Sequence, residues 1–353
     1  MTKIKIGNVW IGEGEPCRII ADIGLNHNGN SLIAMNLIDI AVKAGADIVK
    51  FQKRTPNAMT SESVLNQKFI DFPGLGKTYG EVRYNLELLP EEYVILKKHT
   101  ENKVAFLVTP FDIRAVEFLE ELGVDSYKVA SHSLTDLPML EKIAETKKPA
   151  ILSTGMATMK QIQEAIDVFG GKNIMLMHCI SQYPTEINNV NLRIIKTLKE
   201  KFNLPVGYSS HERSPVVATI AVTLGACAIE RHITLSHYME GFDHSFSMEP
   251  GEFKELKKII DFTEAALGTA EKKIFDFEKE ALENYRRVVF TTKEIKKGEK
   301  IERDMLTTKE PSIRLSNKKV RKGAQPIEIP KMVGKIAKKN ISIDKPISME
   351  DLI

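Results

Sequence analysis

The sequence predicts a (β/α)8 TIM barrel followed by a small β-rich domain. Three observations carry this expectation. Short, near-continuously apolar runs occur eight times between residues 17 and 234. Helix-length amphipathic segments separate them, as strands buried on both faces of a parallel sheet require. The charge balance also changes sign: residues 286–353 carry 18 Lys+Arg against 9 Asp+Glu, whereas the first 285 carry 32 against 38. Two differently charged blocks read as two domains.

The eight runs are Cys17–Gly24, Asp47–Gln52, Val104–Pro110, Ser126–Ser131, Pro149–Gly155, Ile174–Cys179, Pro205–Ser210 and Cys227–Thr234. Between the first two, Leu32, Met35, Ile38 and Val42 recur at helical spacing and mark the expected buried stripe. Gly45, Gly123 and Gly225 stand where left-handed helix caps are wanted. Eight such β-α repeats make a barrel. An open doubly wound sheet is the competing architecture, but no Gly-x-Gly-x-x-Gly follows the first run. The expected division is a barrel over 1–267, a charged linker over 268–285 and a β-rich domain over 286–353. With Phe290 as its one aromatic residue, that last domain is expected to have little core of its own.

Composition narrows the function classes. The chain has 353 residues, 42% hydrophobic and 27% charged, with a net charge of +3, the profile of a globular protein. No run approaches the length of a membrane span, and Met1–Trp10 lacks an apolar signal core. The expected compartment is therefore the cytoplasm. Cys17, Cys179 and Cys227 are widely spaced and form no Cys-x-x-Cys pair, which points to reduced thiols rather than a zinc site or a disulfide framework. The basic tail lacks stacking aromatics and a DNA-reading helix, so nucleic acid is not an expected partner.

In a barrel enzyme, polar residues at the carboxyl ends of strands converge on one face. Here all eight ends carry them: Asp22, Asn26 and His27; Lys50 and Gln52; Thr109; Lys128 and Ser131; Ser153 and Thr154; His178 and Ser181; Ser209, Ser210 and His211; Glu230 and His232. Lys50 and Lys128 interrupt apolar runs, and a buried ammonium demands an anion. With Thr109, Ser131, Ser153 and Ser209 they make a carboxylate- or phosphate-binding set. An internal lysine–carboxylate pair, or a Schiff-base role for Lys128, is the alternative. His211 and His232 come from adjacent strand ends and are candidate ligands of one divalent ion, the alternative being satisfied core histidines. Asp243 in the last loop is a candidate acceptor for sugar hydroxyls. Thr185 is read as a helix cap, and Glu186 and Glu249 as charges near helix starts.

At these residues the sequence resembles the sialic acid synthase family. The matching stretches are Asp22-Ile-Gly-Leu-Asn-His-Asn-Gly29, Ala46-Asp-Ile-Val-Lys-Phe-Gln52, Gly76-Lys-Thr-Tyr-Gly80, Ser153-Thr-Gly-Met156, Asn191-Leu-Arg193, Gly207-Tyr-Ser-Ser-His211, Glu230-Arg-His232 and Gly241-Phe-Asp-His-Ser-Phe-Ser-Met-Glu-Pro250. The tail is similar to the antifreeze-like SAF (β-clip) domain that closes these synthases.

The resemblance implies condensation of phosphoenolpyruvate with an N-acylmannosamine-type sugar to a nonulosonic acid plus phosphate. A metal-assisted sugar-acid aldolase or lyase, or a non-catalytic carbohydrate binder, is the alternative. The resemblance assigns phosphoenolpyruvate to Lys50, Thr109, Lys128, Ser131, Ser153, Ser181 and Ser209. It assigns a divalent ion, Mn2+ or Mg2+, to His211 and His232, and metal waters and the sugar to Gln52, Tyr183 and Asp243. It further implies a domain-swapped homodimer in which each tail completes the partner's site. Three departures stand out. Asp22 replaces the usual glutamate acid/base, and His132-Ser133 follows Ser131 where an acid is common. The tail has Lys309-Glu310-Pro311 for Lys-Arg-Pro, with Arg314 as the candidate substitute for the missing arginine.

Overall fold

A computed structural model of the chain describes residues 3–212, 214–311 and 323–353. It divides into two compact units, Met1–Gly268 and Thr269–Ile353. The first unit opens with an antiparallel hairpin, β1 (Lys3–Ile6) and β2 (Val9–Gly12), which the apolar-run reading does not anticipate. Eight parallel strands follow: β3 (Arg18–Gly24), β4 (Ile48–Lys53), β5 (Ala105–Pro110), β6 (Tyr127–Val129), β7 (Ala150–Ser153), β8 (Ile174–Cys179), β9 (Val206–Ser210) and β10 (Ala228–His232). β10 pairs with β3, from Ala228 opposite Arg18 to His232 opposite Asp22, and so closes the barrel.

Strand alternation sorts each strand's residues into two destinations. Ile19, Ala21, Val49, Phe51, Val129, Leu152, Leu176 and Ile229 face outward and pack in one core with the helices. Ile20, Ile48, Leu107, Ile151, Met175 and Ala228 form a second core. Ile4, Ile6 and Ile11 of the hairpin join that second core, so the hairpin plugs one end of the barrel. Two residues further along β3, β4, β5, β7 and β10 the same inward face turns polar, at Asp22, Lys50, Thr109, Ser153 and Glu230, whereas on β8 Met177 stays in the apolar core. The hairpin therefore seals the apolar end, and the chemistry is confined to the other.

The first barrel helix, Ser31–Ala44, starts at Asn30, whose side chain accepts from the Leu32 and Ile33 amides. It ends at Gly45 with φ 92°, as the cap reading expects. Of the expected stripe, Ile38 is buried and Met35 and Val42 pack against the same core, while Leu32 is 71% exposed; Ala34, Leu37, Ala41 and Ala44 complete the buried face. Thr185 caps no helix either; its hydroxyl donates to the carbonyls of Ile180 and Gln182. Glu249 does stand at the start of the helix Pro250–Leu267.

In the second unit, β11 (Val288–Thr291) pairs antiparallel with β12 (Leu306–Lys309). Short bridges, Ile295 to Ile341 and Ala337 to Leu352 among them, tie its loops together. Contrary to the expectation of a thin core, Val289, Ile295, Ile301, Met332, Ile341 and Ile347 are buried in a cluster of their own. Aliphatic residues do here what aromatics do in larger cores. Among the described residues no helix is long and apolar enough to cross a membrane. The three cysteines are free thiols.

Candidate active site

The polar ends of the strands line one cavity of about 390 Å³. Asp22, Lys50, Gln52, Thr109, Lys128, Ser131, Ser153, Ser181, Tyr183, Ser209, His211, His232 and Asp243 all contribute to its wall. Every described residue to which the resemblance assigns a substrate, the metal or the proton transfer is thus brought together. Arg314 lies outside the described residues.

The cavity floor is a buried charge network. Lys50 Nζ lies 2.7 Å from Asp22 Oδ2 and 3.7 Å from Glu230 Oε1, and Lys128 Nζ lies 3.9 Å from the same Glu230 oxygen. Lys50 thus realises the internal ion pair that the sequence left open. Burial disfavours its ammonium, but Asp22 and Glu230 outweigh burial and raise its pKa. For Lys128 burial wins, with Lys50 adding repulsion, and its pKa falls despite Glu230. Burial pushes the Asp22 carboxyl up, yet Lys50 and His232 hold it below the ordinary value, so it is ionised.

Hydroxyls surround this floor. Lys128 donates to Ser153 Oγ, Lys50 lies 3.5 Å from Thr109 Oγ1, and Ser209 donates to Glu230 at 3.1 Å. The Gly155 amide donates to Ser131 Oγ at 3.1 Å. A Cβ on Gly155 would stand 2.6 Å from Ser181 Oγ and 2.7 Å from Ser131 Oγ, so only glycine leaves this cradle open. Ser181 Oγ, Asp22 Oδ1 and Glu230 Oε2 are buried without a hydrogen-bond partner. Such groups are rarely left unmet, and a bound ligand would satisfy them. The β3–β4 register shifts between Asp22 and Gly24, where Gly24 takes φ 55°. This bulge aims Asp22 at Lys50 and at His232 Nε2, 3.3 Å away.

The two candidate metal ligands face each other, with ring centroids 5.6 Å apart. His211 Nδ1 is 3.1 Å from the Ile180 carbonyl, which only accepts, so Nδ1 carries the proton and Nε2 keeps its lone pair. Burial lowers the His211 pKa to about 3 and keeps the ring neutral. His232 Nδ1 is buried without a hydrogen-bond partner, 3.8 Å from Asp243 Oδ2. Two imidazoles, one with a fixed tautomer and one with an unmet nitrogen, suit a divalent ion completed by water and substrate. Among the described residues no group of three or more His, Cys, Asp or Glu is arranged for a metal.

A model of the NeuB family matches residues 37–272, and one of the SAF domain matches residues 286–353. The chain belongs to the NeuB family. It is 39% identical over 341 residues to the N,N'-diacetyllegionaminic acid synthase of Campylobacter jejuni, covering 93% of this chain and 98% of that one. It is 36% identical over 351 residues to the N-acetylneuraminate-9-phosphate synthase of Homo sapiens, covering 98% and 94%. A solved N-acetylneuraminic acid synthetase from Leptospira borgpetersenii matches with a TM-score of 0.69 at 32% identity, over 80% of this chain and 95% of that one.

This NeuB-family site also uses residues to which the sequence assigned no role. Glu230 bridges the two lysines, and Arg54, Arg83 and Phe242 complete the wall. Behind the wall, Arg231 Nη1 lies 2.8 Å from Glu212 Oε1, and Tyr208 donates to the other Glu212 oxygen. Glu212 follows His211 and Arg231 precedes His232, so this pair ties the two imidazole-bearing segments together. Alternation along β10, with Glu230 and His232 facing in, would have placed Arg231 behind the wall. Of the remaining strand-end candidates, His178 hydrogen-bonds the Val190 carbonyl and stacks on Tyr208. The His27 ring takes the Gly29 amide, and burial lowers its pKa to about 3. Neither faces the cavity. His132 does, packed on Phe111.

The Arg231–Glu212 pair is 2% and 1% exposed. Glu212→Gln strands a buried guanidinium, and urea unfolding of the barrel is expected to lose about 3–5 kcal/mol. A loss below about 1 kcal/mol would mean that the pair does not brace the two segments.

Proposed function

We propose that this NeuB-family chain condenses phosphoenolpyruvate with the open-chain aldehyde of an N-acylmannosamine-type sugar, giving a sialic-acid-like nonulosonic acid and inorganic phosphate. The observation that carries the reading is the pair of buried lysines ringed by five cavity-facing hydroxyls. Lys50, Lys128, Thr109, Ser131, Ser153, Ser181 and Ser209 bind the carboxylate and phosphate of phosphoenolpyruvate through charge-assisted contacts. Gln52, Tyr183 and Asp243 hold the sugar.

The enol carbon attacks the aldehyde carbon, forming the new C–C bond, and the aldehyde oxygen takes a proton. Water adds to the resulting oxocarbenium carbon and loses a proton. The C–O bond to phosphate then breaks, leaving the ketone. Asp22, with Oδ1 unpartnered, holds or moves the proton in these transfers. A divalent ion, Mn2+ or Mg2+, held by His211 and His232 would supply Lewis-acid polarisation of the aldehyde. The working unit in this reading is a homodimer whose sites are each completed by the partner's SAF domain.

The deciding experiment screens N-acylmannosamine-type acceptors with phosphoenolpyruvate for phosphate release. Lys50→Ala or Lys128→Ala is expected to raise the KM for phosphoenolpyruvate roughly 10- to 150-fold, the loss of one charge-assisted contact. Release of pyruvate without phosphate would mark a lyase instead, and unchanged KM values would make the lysines purely structural.

The histidine assignment is tested by Mn2+ titration of the full chain, followed by electron paramagnetic resonance. Wild type is expected to bind, and His211→Ala and His232→Ala to lose binding while remaining folded. Undiminished binding in either variant contradicts it.

Completion in trans is tested by mixing a chain lacking residues 286–353 with a full-length His211→Ala chain, each inactive alone. Activity is expected to return in the mixed dimer. Mixed dimers that form and stay inactive would exclude it.

A further inference from the structure

The stretch Gly76-Lys-Thr-Tyr-Gly80 matches the family, yet no residue from 55 to 82 lines the catalytic cavity. Its place in the fold gives it another task. Residues 67–79 close on themselves: the Phe69 amide donates to the Lys77 carbonyl and the Tyr79 amide to the Gln67 carbonyl, both at 2.9 Å. A Cβ on Gly76 would stand 2.8 Å from Glu81 Cβ and from the Val82 nitrogen, so the chain turns this tightly only at glycine. Thr78 then caps the helix Tyr79–Asn85, its hydroxyl accepting from the Glu81 amide, and fixes how the helix leaves the loop.

The apolar side of this loop grips the segment that follows β10. Phe72 meets the Phe242 ring edge to face, with centroids 4.8 Å apart, and Phe69 lies 5.9 Å from the same ring. Arg83, half-buried, lies against two rings, its Cζ 4.4 Å from the Phe242 centroid and 4.9 Å from that of Tyr79. Its Nε donates to the Tyr79 hydroxyl at 2.7 Å. Polar ties flank the stack: the Gly74 amide donates to Glu240 Oε1 at 3.1 Å, and Asn28 Nδ2 to the Glu240 carbonyl at 2.9 Å. Asp243 is the next residue along, and Ser247 holds it from the other side by donating to its carbonyl at 2.6 Å. Among the described residues the Asp243 carboxylate accepts no hydrogen bond, and the ring nearest it, His232, has its Nδ1 3.8 Å away. Its direction is therefore set by the backbone that carries it.

We propose that residues 67–83 are a positioning clamp. By gripping Phe242 and Glu240 they aim Asp243 at the acceptor sugar, and so govern recognition of the sugar without governing that of phosphoenolpyruvate. The lysines given to phosphoenolpyruvate sit on β4 and β6, braced by Asp22 and Glu230 rather than by this loop. The clamp deepens the synthase reading and rests on it for the ligand of Asp243.

Phe72 lies outside the cavity, so its substitution loosens the grip without removing a substrate contact. Phe72→Ala is expected to raise the KM of the acceptor roughly 2- to 13-fold, the worth of one aromatic pair, with the KM of phosphoenolpyruvate within about twofold. Phe72→Leu should recover part of the loss. Added to Asp243→Asn, Phe72→Ala should change the acceptor KM by less than about twofold, because a residue acting through Asp243 then has nothing left to aim. Hydrogen exchange of the full chain without substrates should quicken in Phe72→Ala over peptides spanning 238–247 and stay as in wild type over β4 and β6. Should Phe72→Ala misfold, Tyr79→Phe, which deletes only the hydroxyl holding Arg83, carries the test in the same readouts. An unchanged acceptor KM, an equal rise for phosphoenolpyruvate, full additivity with Asp243→Asn, or unaltered exchange over 238–247 overturns the clamp. If no acceptor supports turnover in wild type while exchange over 238–247 still quickens in the variant, the synthase reading falls and the grip on the Asp243 segment stands.

Discussion

Two ammonium groups that would be intolerable alone share two carboxylates at the centre of the cavity floor, and the site is arranged around that balance. Asp22 meets Lys50, and Glu230 lies within 4 Å of both Lys50 and Lys128. Neither carboxylate is exhausted by this, since one oxygen of each remains without a partner. The network therefore neutralises the lysines enough to fold, yet keeps donors and acceptors available to a bound anion. Opposite pKa directions for Lys50 and Lys128 follow from the same arrangement. Lys50 has two carboxylates near it, whereas Lys128 has one and the burden of Lys50.

The barrel makes this balance possible by separating apolar and polar layers along the same inward face. Ile48 lies in the apolar layer sealed by the N-terminal hairpin, and Lys50, two residues on in the same strand, lies in the cavity. Ala228 and Glu230 repeat the pattern on β10. Local devices then fix the aim of single groups. The bulge at Gly24 turns Asp22, glycine at 155 keeps the serine cradle open, and the Arg231–Glu212 pair ties the histidine-bearing segments. Each device acts from outside the cavity on a group inside it.

Much of this was legible in the sequence because burial and charge conflict there in plain view. A lysine in Asp-Ile-Val-Lys-Phe-Gln or Ser-Tyr-Lys-Val-Ala-Ser has few structural excuses, and both such lysines line the cavity. The strand-end rule found the hydroxyls and the histidines for the same reason. It also drew in His27 and His178, whose partners are a backbone amide and a backbone carbonyl; position at a strand end does not say which way a side chain turns. Arg54 and Arg83 escaped because arginine on a loop or a helix is ordinarily solvated, and nothing local reveals that Phe111 and Phe242 receive them. Ala34, Ala41 and Ala44 of the first helix were missed for a similar reason: alanine gives a weak hydrophobic signal, yet all three are buried.

In the proposed reaction phosphoenolpyruvate is held by its anionic groups while the oxygen bridging its carbon and phosphorus departs with phosphate. Phosphoenolpyruvate labelled with 18O at that bridging oxygen tests this directly. The released phosphate is expected to carry the label, with the ketone oxygen of the sugar acid coming from water. Label retained in the organic product would mean P–O cleavage, and it would contradict a site in which water attacks the carbon and the lysine–hydroxyl set receives the leaving phosphate.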